Sequence, residues 1–531
     1  LADSKLPAVR RLGLEMMART GARTNAGHRA LLDDADEGVR SIIAAAILAD
    51  APSDPAALAI LNGPLAPNCA LAAIAVLQER AGERAAGILE EIGQHGDADV
   101  RAASLQAAGA ASAHKPAVLA WARRAQQDDA PPVRAAAYPV LVSNATVHDI
   151  DGIVAAGLGD GAPQVREALV AALQDHGDGA LPPLYRQLYS AIEETQLAAI
   201  DALGRILGIA AEGGLYAAFE TEVYPAIRLH RQLADMFRPG RRGWAAMGLA
   251  LDNAKEHTLR VVMRGLEALG HRKVLAIIRK SLNDADERAR ANAIESLALL
   301  PQRRFVAPLT PLLEGWREAH ADDAFDATEA LRLLQLAALS PDPGLRAAAA
   351  VAWHAETGEI TDASASDASP LVAETAQRLR QGIAPDSPYQ QEAPMNRLTF
   401  LHSVPLFAKA SLDDLIVIDR TISCETYVRG EEIVTEGDTG DRLCIVYRGE
   451  VAVRKRMPDG ERELARLGSG DFFGEMSLFD DEPRSATVAA IDEVEVLVLN
   501  RDRFHSLVQQ RPAILMEMCT TLVQRLRKAV R

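Results

Sequence analysis

A polar turn, a Val-Arg or Leu-Arg pair and an alanine-rich helix recur along the first two thirds of the chain. The copies include DSKLPAVRRLGLEMMARTG (3–21), DADEGVRSIIAAAILADA (34–51), GDADVRAASLQAAGAA (96–111), DDAPPVRAAAYPVLVS (128–143) and DGAPQVREALVAALQD (160–175). Later copies are KEHTLRVVMRGLEALG (255–270), DADERARANAIESLALL (284–300) and PDPGLRAAAAVAWHA (341–355). Their markers Val9, Val39, Val100, Val133, Val165, Leu259, Ala289 and Leu345 are mostly separated by about 31 residues or twice that, a period that signals stacked repeats. An Asp in each turn can cap the helix that follows, and small alanines let neighbouring helices approach closely. No single copy can bury its own apolar face, so stacking must supply the core.

The pattern resembles HEAT repeats of the short bacterial kind, over roughly residues 1–355, with weaker copies near 64–82 and 192–207. Residues 208–250 depart from it, where YPAIRLHRQLADMFRPGRRGWAAMG inserts a further helix and a basic turn. The recurrent Arg10, Arg40, Arg101, Arg134 and Arg166 could form an anion-binding ladder. The reading favoured on physical grounds is structural, with each arginine bonding turn carboxylates or helix-end carbonyls between repeats. By resemblance, the array implies a scaffold surface for a protein partner. Its histidines are scattered, with neither an HExxH nor a spaced metal cluster, and no catalytic constellation is expected.

Charge excludes one class of partner. The formal net charge is −16, and a nucleic-acid polymer needs a basic surface. A small phosphate ligand needs only one well-placed arginine. Cys69, Cys424, Cys444 and Cys519 form no CxxC pair, as expected of reduced thiols in a cytoplasmic protein. No run of about 18 apolar residues is present to span a membrane, and no signal peptide is visible. The chain opens on Leu1 inside a helical pattern, the mark of a fragment with a segment upstream. The segment 356–395 is rich in Ser, Asp, Ala and Pro and reads as a linker with one short helix, LVAETAQRLRQ.

From residue 396 to 531 the period changes. A helical lead-in (Leu398, Leu401, Val404, Leu406, Phe407) precedes LDDLIVIDRTI, for which Ser411 is the candidate N-cap. Short strands then alternate with turns at Gly430, Gly437, Gly440, Gly449 and Asp459-Gly460, and two helices close the chain. Closely spaced strands with glycine turns predict a sandwich or barrel. Within this region lies FGEMSLFDDEPRSATVAA (473–490). Gly474 permits close backbone approach, Glu475 accepts hydrogen bonds, Arg484 offers a planar fork suited to phosphate, and Ser485 adds a hydroxyl and an amide. Pro483 stiffens the turn, and LFDDE is expected to form a helical turn. Chemistry alone leaves two readings open: an anion pocket, or a surface Glu-Arg ion pair on a β-turn.

Phe473-Gly474-Glu475, Leu478 and Pro483-Arg484-Ser485-Ala486-Thr487-Val488 resemble the phosphate-binding cassette of cyclic nucleotide-binding domains. The resemblance implies a β-barrel or jelly-roll domain over 396–531. The candidate ligand-binding residues are Phe473, Gly474, Glu475, Met476, Ser477, Arg484, Ser485 and Ala486. Glu475 would take the ribose 2′-hydroxyl and Arg484 the cyclic phosphate, with Gly474 and Ser485 offering amides. The ligand is then cAMP or cGMP rather than a cofactor, Ser485 favouring cAMP. In relatives a Thr-Ser pair late in the last helix meets the base; here those places hold Ala529 and Val530. Since Arg531 directly follows that helix, a helix-turn-helix transcription factor is not expected. The combined order of domains resembles the soluble tail of bacterial transporters related to ATP/ADP translocases, which implies a membrane portion upstream of residue 1. The whole is thus read as a multidomain cyclic nucleotide sensor that is not an enzyme. The alternatives are an interaction scaffold whose cassette no longer binds, or a lyase of the bilin-attaching HEAT type.

Overall fold

The computed structural model describes residues 4–20, 24–80, 85–112, 115–146, 149–190, 192–237, 241, 243–282, 286–313, 325–382, 388–458, 460–479, 482–510, 514–515, 518–520 and 522–523. Helices start where the turn chemistry demands. Asp36 accepts from the Val39 amide at the head of Glu37–Asp50, and Asp342 from Gly344 at the head of Pro343–Thr357. Pro131–Ser143 and Pro163–His176 open on proline, whose missing N–H has no partner to lose in a first turn. The marker side chains Val39, Val100, Val133, Val165 and Leu345 are buried. The helix Ala98–Ser112 packs on Pro131–Ser143, which packs in turn on Pro163–His176. The copy at 255–270 departs from the pattern. Its start lies inside one long helix, Trp244–Leu266, because DNAKEHTL offers neither proline nor glycine to break it, and only its last four residues fall beyond that helix.

The turn arginines are structural. Arg134 forks Asp160 at 2.7 and 3.0 Å and also donates to the Asp128 and Asp129 carbonyls at 2.8 and 3.0 Å. Arg101 does the same to Asp128 and to the carbonyls of His95 and Gly96. Arg346 repeats it with Asp367, Ser340 and Pro341, and Arg10 reaches Asp34. The receiving carboxylates also hold their own turns, Asp128 accepting from Ala130 and Asp160 from Ala162. Each arginine therefore closes its own turn and clamps the next.

By contact, residues 1–222 with 261–305 form one compact unit, and 223–260 with 306–531 form a second. Among the described residues the second contains eight strands: β1 (Ser423–Tyr427), β2 (Glu432–Val434), β3 (Arg442–Arg448), β4 (Val451–Met457), β5 (Gly460–Leu467), β6 (Phe472–Phe473), β7 (Thr487–Ala490) and β8 (Val494–Asn500). They pair antiparallel in two four-stranded sheets, ordered β1-β8-β3-β6 and β2-β7-β4-β5. Of the sandwich or barrel expected, no closed barrel is found among the described residues. Alternate side chains of β3 and β8 divide two cores. Cys444, Val446, Val494, Val496 and Val498 face the other sheet, meeting Ile433, Val451 and Val488. Leu443, Ile445, Leu497 and Leu499 face helices, meeting Leu398, Leu401, Phe407 and Leu415.

That helical core runs on through Val372, Leu345, Leu333 and Trp244. Arg241 forks Glu356 at 2.7 Å, and Trp244 Nε1 donates to the same carboxylate at 2.9 Å. Residues 356–395, read as a linker from composition, carry the helices Asp362–Ala365 and Pro370–Arg380. Val372, Thr375, Ala376 and Tyr389 are buried there. Glu495 on β8, itself buried, accepts from the Tyr389 amide at 2.7 Å and from Cys424 Sγ at 2.8 Å. Ser411 caps Leu412–Thr421 as expected, accepting from the Asp414 amide. Burial pushes the Cys444 thiol up to about 12, so it stays protonated in the core. Asp459 lies outside the described residues, as does most of the last helix.

Two outcomes follow from the turn clamps. Arg134→Ala removes a charge-assisted fork and should cost about 1.5–3 kcal/mol in urea unfolding. The hydrogen bonds from their arginines hold Asp34, Asp128, Asp160 and Asp367 below the usual carboxylate range. The unfolded chain therefore takes up protons first as pH falls through about 4. The clamps contribute fully at neutral pH and are lost on acidification, so the deficit of Arg134→Ala should shrink below about pH 4 in the same unfolding measurement.

Candidate functional site

The site is built from the end of β6, the start of β7 and the turn between β2 and β3. Phe473 lies opposite Cys444 of β3, and its ring is buried between the sheets. The chain then reverses at Gly474, whose φ of +78° favours glycine. A single 3-10 turn follows over Glu475–Leu478. Ser477 and Leu478 are buried and hold that turn down, Glu475 is half-buried, and Met476 is exposed. The helical turn thus precedes the expected LFDDE, of which Asp480 and Asp481 lie outside the described residues. Glycine at 474 lets the turn start one residue after the sheet ends.

On the far side, Pro483 forms a β-bridge with Thr439. The Arg484 amide donates to the Asp438 carbonyl at 2.8 Å, and the Gly437 amide donates to the Arg484 carbonyl at 2.9 Å. Thr487 Oγ1 accepts from the Glu436 amide at 3.0 Å. The loop 435–441 is thereby laced to the start of β7, which fixes the backbone of Arg484 in a strand-like ladder. Ser485 is exposed and Ala486 half-buried.

The Arg484 side chain is 8% exposed. It donates to the Arg442 carbonyl at 2.9 Å and to the Gly474 carbonyl at 3.4 Å. Both partners are neutral, and among the described residues it forms no ion pair with a carboxylate. Burial pushes its pKa below the ordinary arginine value, and the nearby Arg442 cation adds to the effect. Arginine stays charged in proteins, so the fold holds a desolvated cation whose hydrogen bonds go to two carbonyls, while the charges of Asp441 and Glu475 act on it from further off. A buried charge of this kind gains strongly from an anion. Neighbouring Arg442, by contrast, pairs with Glu425 at 2.8 Å.

The guanidinium fits because two glycines make room. A Cβ on Gly440 would lie 2.5 Å from Arg484 Cζ and 2.6 Å from Ser477 Oγ; one on Gly474 would lie 2.8 Å from the Arg442 carbonyl and run into Arg484 Nη1.

Of the residues expected from sequence, the structure brings Gly474, Glu475, Ser477 and Arg484 to one place. The Phe473 side chain serves the core instead, and Met476 and Ser485 point outward. Ala529 and Val530 lie outside the described residues. Sequence reading missed Gly440, the Arg442 carbonyl and Arg501, which donates to the Ser477 and Gly440 carbonyls at 2.7 and 3.0 Å. The glycines of TEGDTGDR were visible but read only as turns, and a main-chain carbonyl leaves no trace in residue type.

The two glycines give a test in paired variants. Gly430 also has a positive φ, +85°, but open space at its Cβ position. Gly430→Ala should cost about 1–2 kcal/mol of backbone strain. Gly474→Ala should cost about 1–3 kcal/mol more, because the methyl also meets Arg484. Urea unfolding of the two chains reads the difference.

Comparison with known proteins places this geometry. Residues 424–511 match the family described as Cyclic nucleotide-binding domain. A CRP-like cAMP-activated global transcriptional regulator of Mycobacterium tuberculosis (strain CDC 1551 / Oshkosh) is 39% identical over 103 residues, 19% of this chain and 46% of that protein. A cAMP-dependent protein kinase regulatory subunit of Mycosarcoma maydis is 38% identical over 91 residues, 17% of each chain. The catabolite activator protein structure from Thermus thermophilus is 34% identical over 24% of this chain and 59% of its own, with a TM-score of 0.23. The chain spans less than half the length of the two curated relatives, and the family match falls in its C-terminal region. The buried cation behind Gly474 sits in the part of this chain, residues 424–511, that is a cyclic nucleotide-binding domain.

Proposed function

We propose that this chain is a cyclic nucleotide sensor in which the cyclic phosphate binds Arg484 and the ribose 2′-hydroxyl bonds Glu475. The observation that carries this reading is the Arg484 guanidinium, desolvated and hydrogen-bonded to the carbonyls of Arg442 and Gly474 rather than to a carboxylate. A phosphate monoanion would supply a countercharge in direct contact with the guanidinium, and the turn over Glu475–Leu478 brings Glu475 beside it. Ser485 in the cassette favours cAMP over cGMP, and the M. tuberculosis and M. maydis relatives carry cAMP in their names.

The helical region would then supply the output. Helices packed in register and clamped turn to turn by arginine and aspartate support a HEAT-like solenoid, a scaffold on which a protein partner would dock. The role is regulatory rather than catalytic and cytoplasmic. The order of the two regions supports placing the chain as the cytosolic part of a nucleotide transporter, which hydrophobic spans encoded upstream of Leu1 would establish. Among the described residues themselves, no helix is long and apolar enough to cross a membrane.

Calorimetric titration of the full chain tests the first step. cAMP should bind, and Arg484→Ala should weaken it about 10- to 150-fold, the equivalent of a charge-assisted bond of about 1.5–3 kcal/mol. Glu475→Ala should weaken binding while sparing affinity for inorganic phosphate. If neither cAMP nor cGMP binds at millimolar concentration, or Arg484→Ala binds as well as wild type, the chain is a scaffold with a silent cassette.

A further inference from the structure

The helix Arg272–Leu282 carries a charge opposite to that of the whole chain. The stretch HRKVLAIIRKSL (271–282) has no acidic residue, although the net charge of the chain is −16. Leu275 and Ile278 are buried in the first unit and fix the inner face of the helix. The helix Glu287–Ala298 packs against it. Arg279 is committed to the same task, since it pairs at 2.5 Å with Glu267, whose side chain is only 8% exposed. Glu267 lies in the wide turn Glu267–His271 that leads into the helix. The helix is thereby held at its start, and its inner face is occupied.

The outer face is different. Val274 is 46% and Ile277 70% exposed. With half-buried Ser281 they are spaced by three and then four residues, the a-d-a spacing that lays a seam along one side of a helix. Lys273 and Lys280 stand seven residues apart, each just before a seam position, so they border the seam on one side. Both lysines are exposed, and among the described residues neither has an ion-pair partner. The opposite border is Ile278, which is buried, so the lysines set the charge of the open side. A single exposed aliphatic residue is ordinary. Two at seam spacing, bordered by lysines one heptad apart, form one half of a helix–helix interface.

Charge and shape choose the occupant. Helices that lie in a membrane surface present a broad apolar face with large side chains such as Trp, Phe and Leu. Here Leu275 and Ile278 face inward, and only Val274 and Ile277 are left for the outside. A second copy apposing the same face would set lysine against lysine. A helix with apolar a and d positions flanked by carboxylates suits both features: its apolar side chains meet Val274 and Ile277, and its acids reach Lys273 and Lys280. We propose that the outer face of Arg272–Leu282 is a docking site for an acidic amphipathic helix of a partner protein. The proposal rests on the reading of the helical region as a scaffold and not on nucleotide binding.

The probe is a labelled three-heptad peptide with Leu at a and d and Glu at e and g, whose like charges oppose its own pairing. Fluorescence anisotropy with the full chain reads binding. Wild type should bind the acidic peptide, less tightly as salt is raised, and should bind a matched peptide with Lys at e and g at least about tenfold more weakly. Lys273→Glu combined with Lys280→Glu should reverse that preference. Ile277→Asp should weaken the acidic peptide about tenfold, the scale of one aliphatic side chain withdrawn from the interface. These side chains are exposed, so both variants should unfold in urea as wild type does. Undiminished binding in both variants overturns the proposal and leaves the scaffold reading standing. Capture by phosphatidylserine vesicles in place of the peptide, dependent on the two lysines, overturns it in favour of a membrane surface. Self-association that Ile277→Asp abolishes overturns it in favour of a second copy. If wild type binds neither peptide, this proposal and the scaffold reading fall together.

Discussion

The pairing of β3 with β8 is buried on both faces, and the second unit is organised around it. Two adjacent strands that show alternate side chains to two cores cannot slip by one residue without exchanging Val496 and Val498 for Leu497 and Leu499. Those exchanges would put γ-branched side chains between the sheets and leave β-branched ones against the helices. The register so held places Phe472 and Phe473 beside Ile445 and Cys444, and hence puts Gly474 at the point where the sheet ends. It also presents the Arg442 carbonyl, the first of β3, to the guanidinium of Arg484. The pocket is a consequence of strand register rather than of the cassette alone.

Arginine is used in two opposite ways. In the helical region the turn arginines Arg10, Arg101, Arg134 and Arg346 are each answered by a carboxylate in a partly solvated place, where the ion pair supplies geometry and a moderate stabilisation. The side chains of Arg134 and Asp160 keep 19% and 12% of their surface in water. Arg484 has surrendered nearly all its water and hydrogen-bonds to carbonyls instead, with Asp441 and Glu475 acting on it only from further off. Residue type does not separate these roles. What separates them is whether an aspartate stands within reach across the next turn, as Asp160 does for Arg134, or whether glycines clear the neighbourhood, as Gly440 and Gly474 do for Arg484.

Much of this was legible in the chain. The capping aspartates, the marker valines and the turn arginines declared helix starts and the faces they bury, because caps and apolar period act locally. The cassette residues Gly474, Glu475 and Arg484 were legible because their spacing along the chain is itself the signal. What stayed hidden depends on pairing between distant segments. The choice between sandwich and barrel, the Gly440 loop laced to β7, and Arg501 on the Ser477 and Gly440 carbonyls all require knowing which strand lies beside which. Composition also misled at 356–395: Ser, Asp and Pro are turn formers, but Val372, Thr375, Ala376 and Tyr389 are spaced to anchor the segment in a core, and a few buried side chains outweigh an exposed polar majority.

The carboxylate of Glu495 shows what that anchoring entails. It lies on a central strand of the recognisable domain, yet of its donors Cys424 and Tyr389 the second is a main-chain amide well before the family match begins at residue 424. A buried acceptor deprived of its donor costs about 1–3 kcal/mol, and the helix-facing leucines of β3 and β8 would be bared at the same stroke. The span over which this domain can be recognised and the span over which it can be physically excised are therefore different lengths of chain. Sequence families mark inheritance; the cut that leaves a soluble piece is set by where the last buried carboxylate finds its partner.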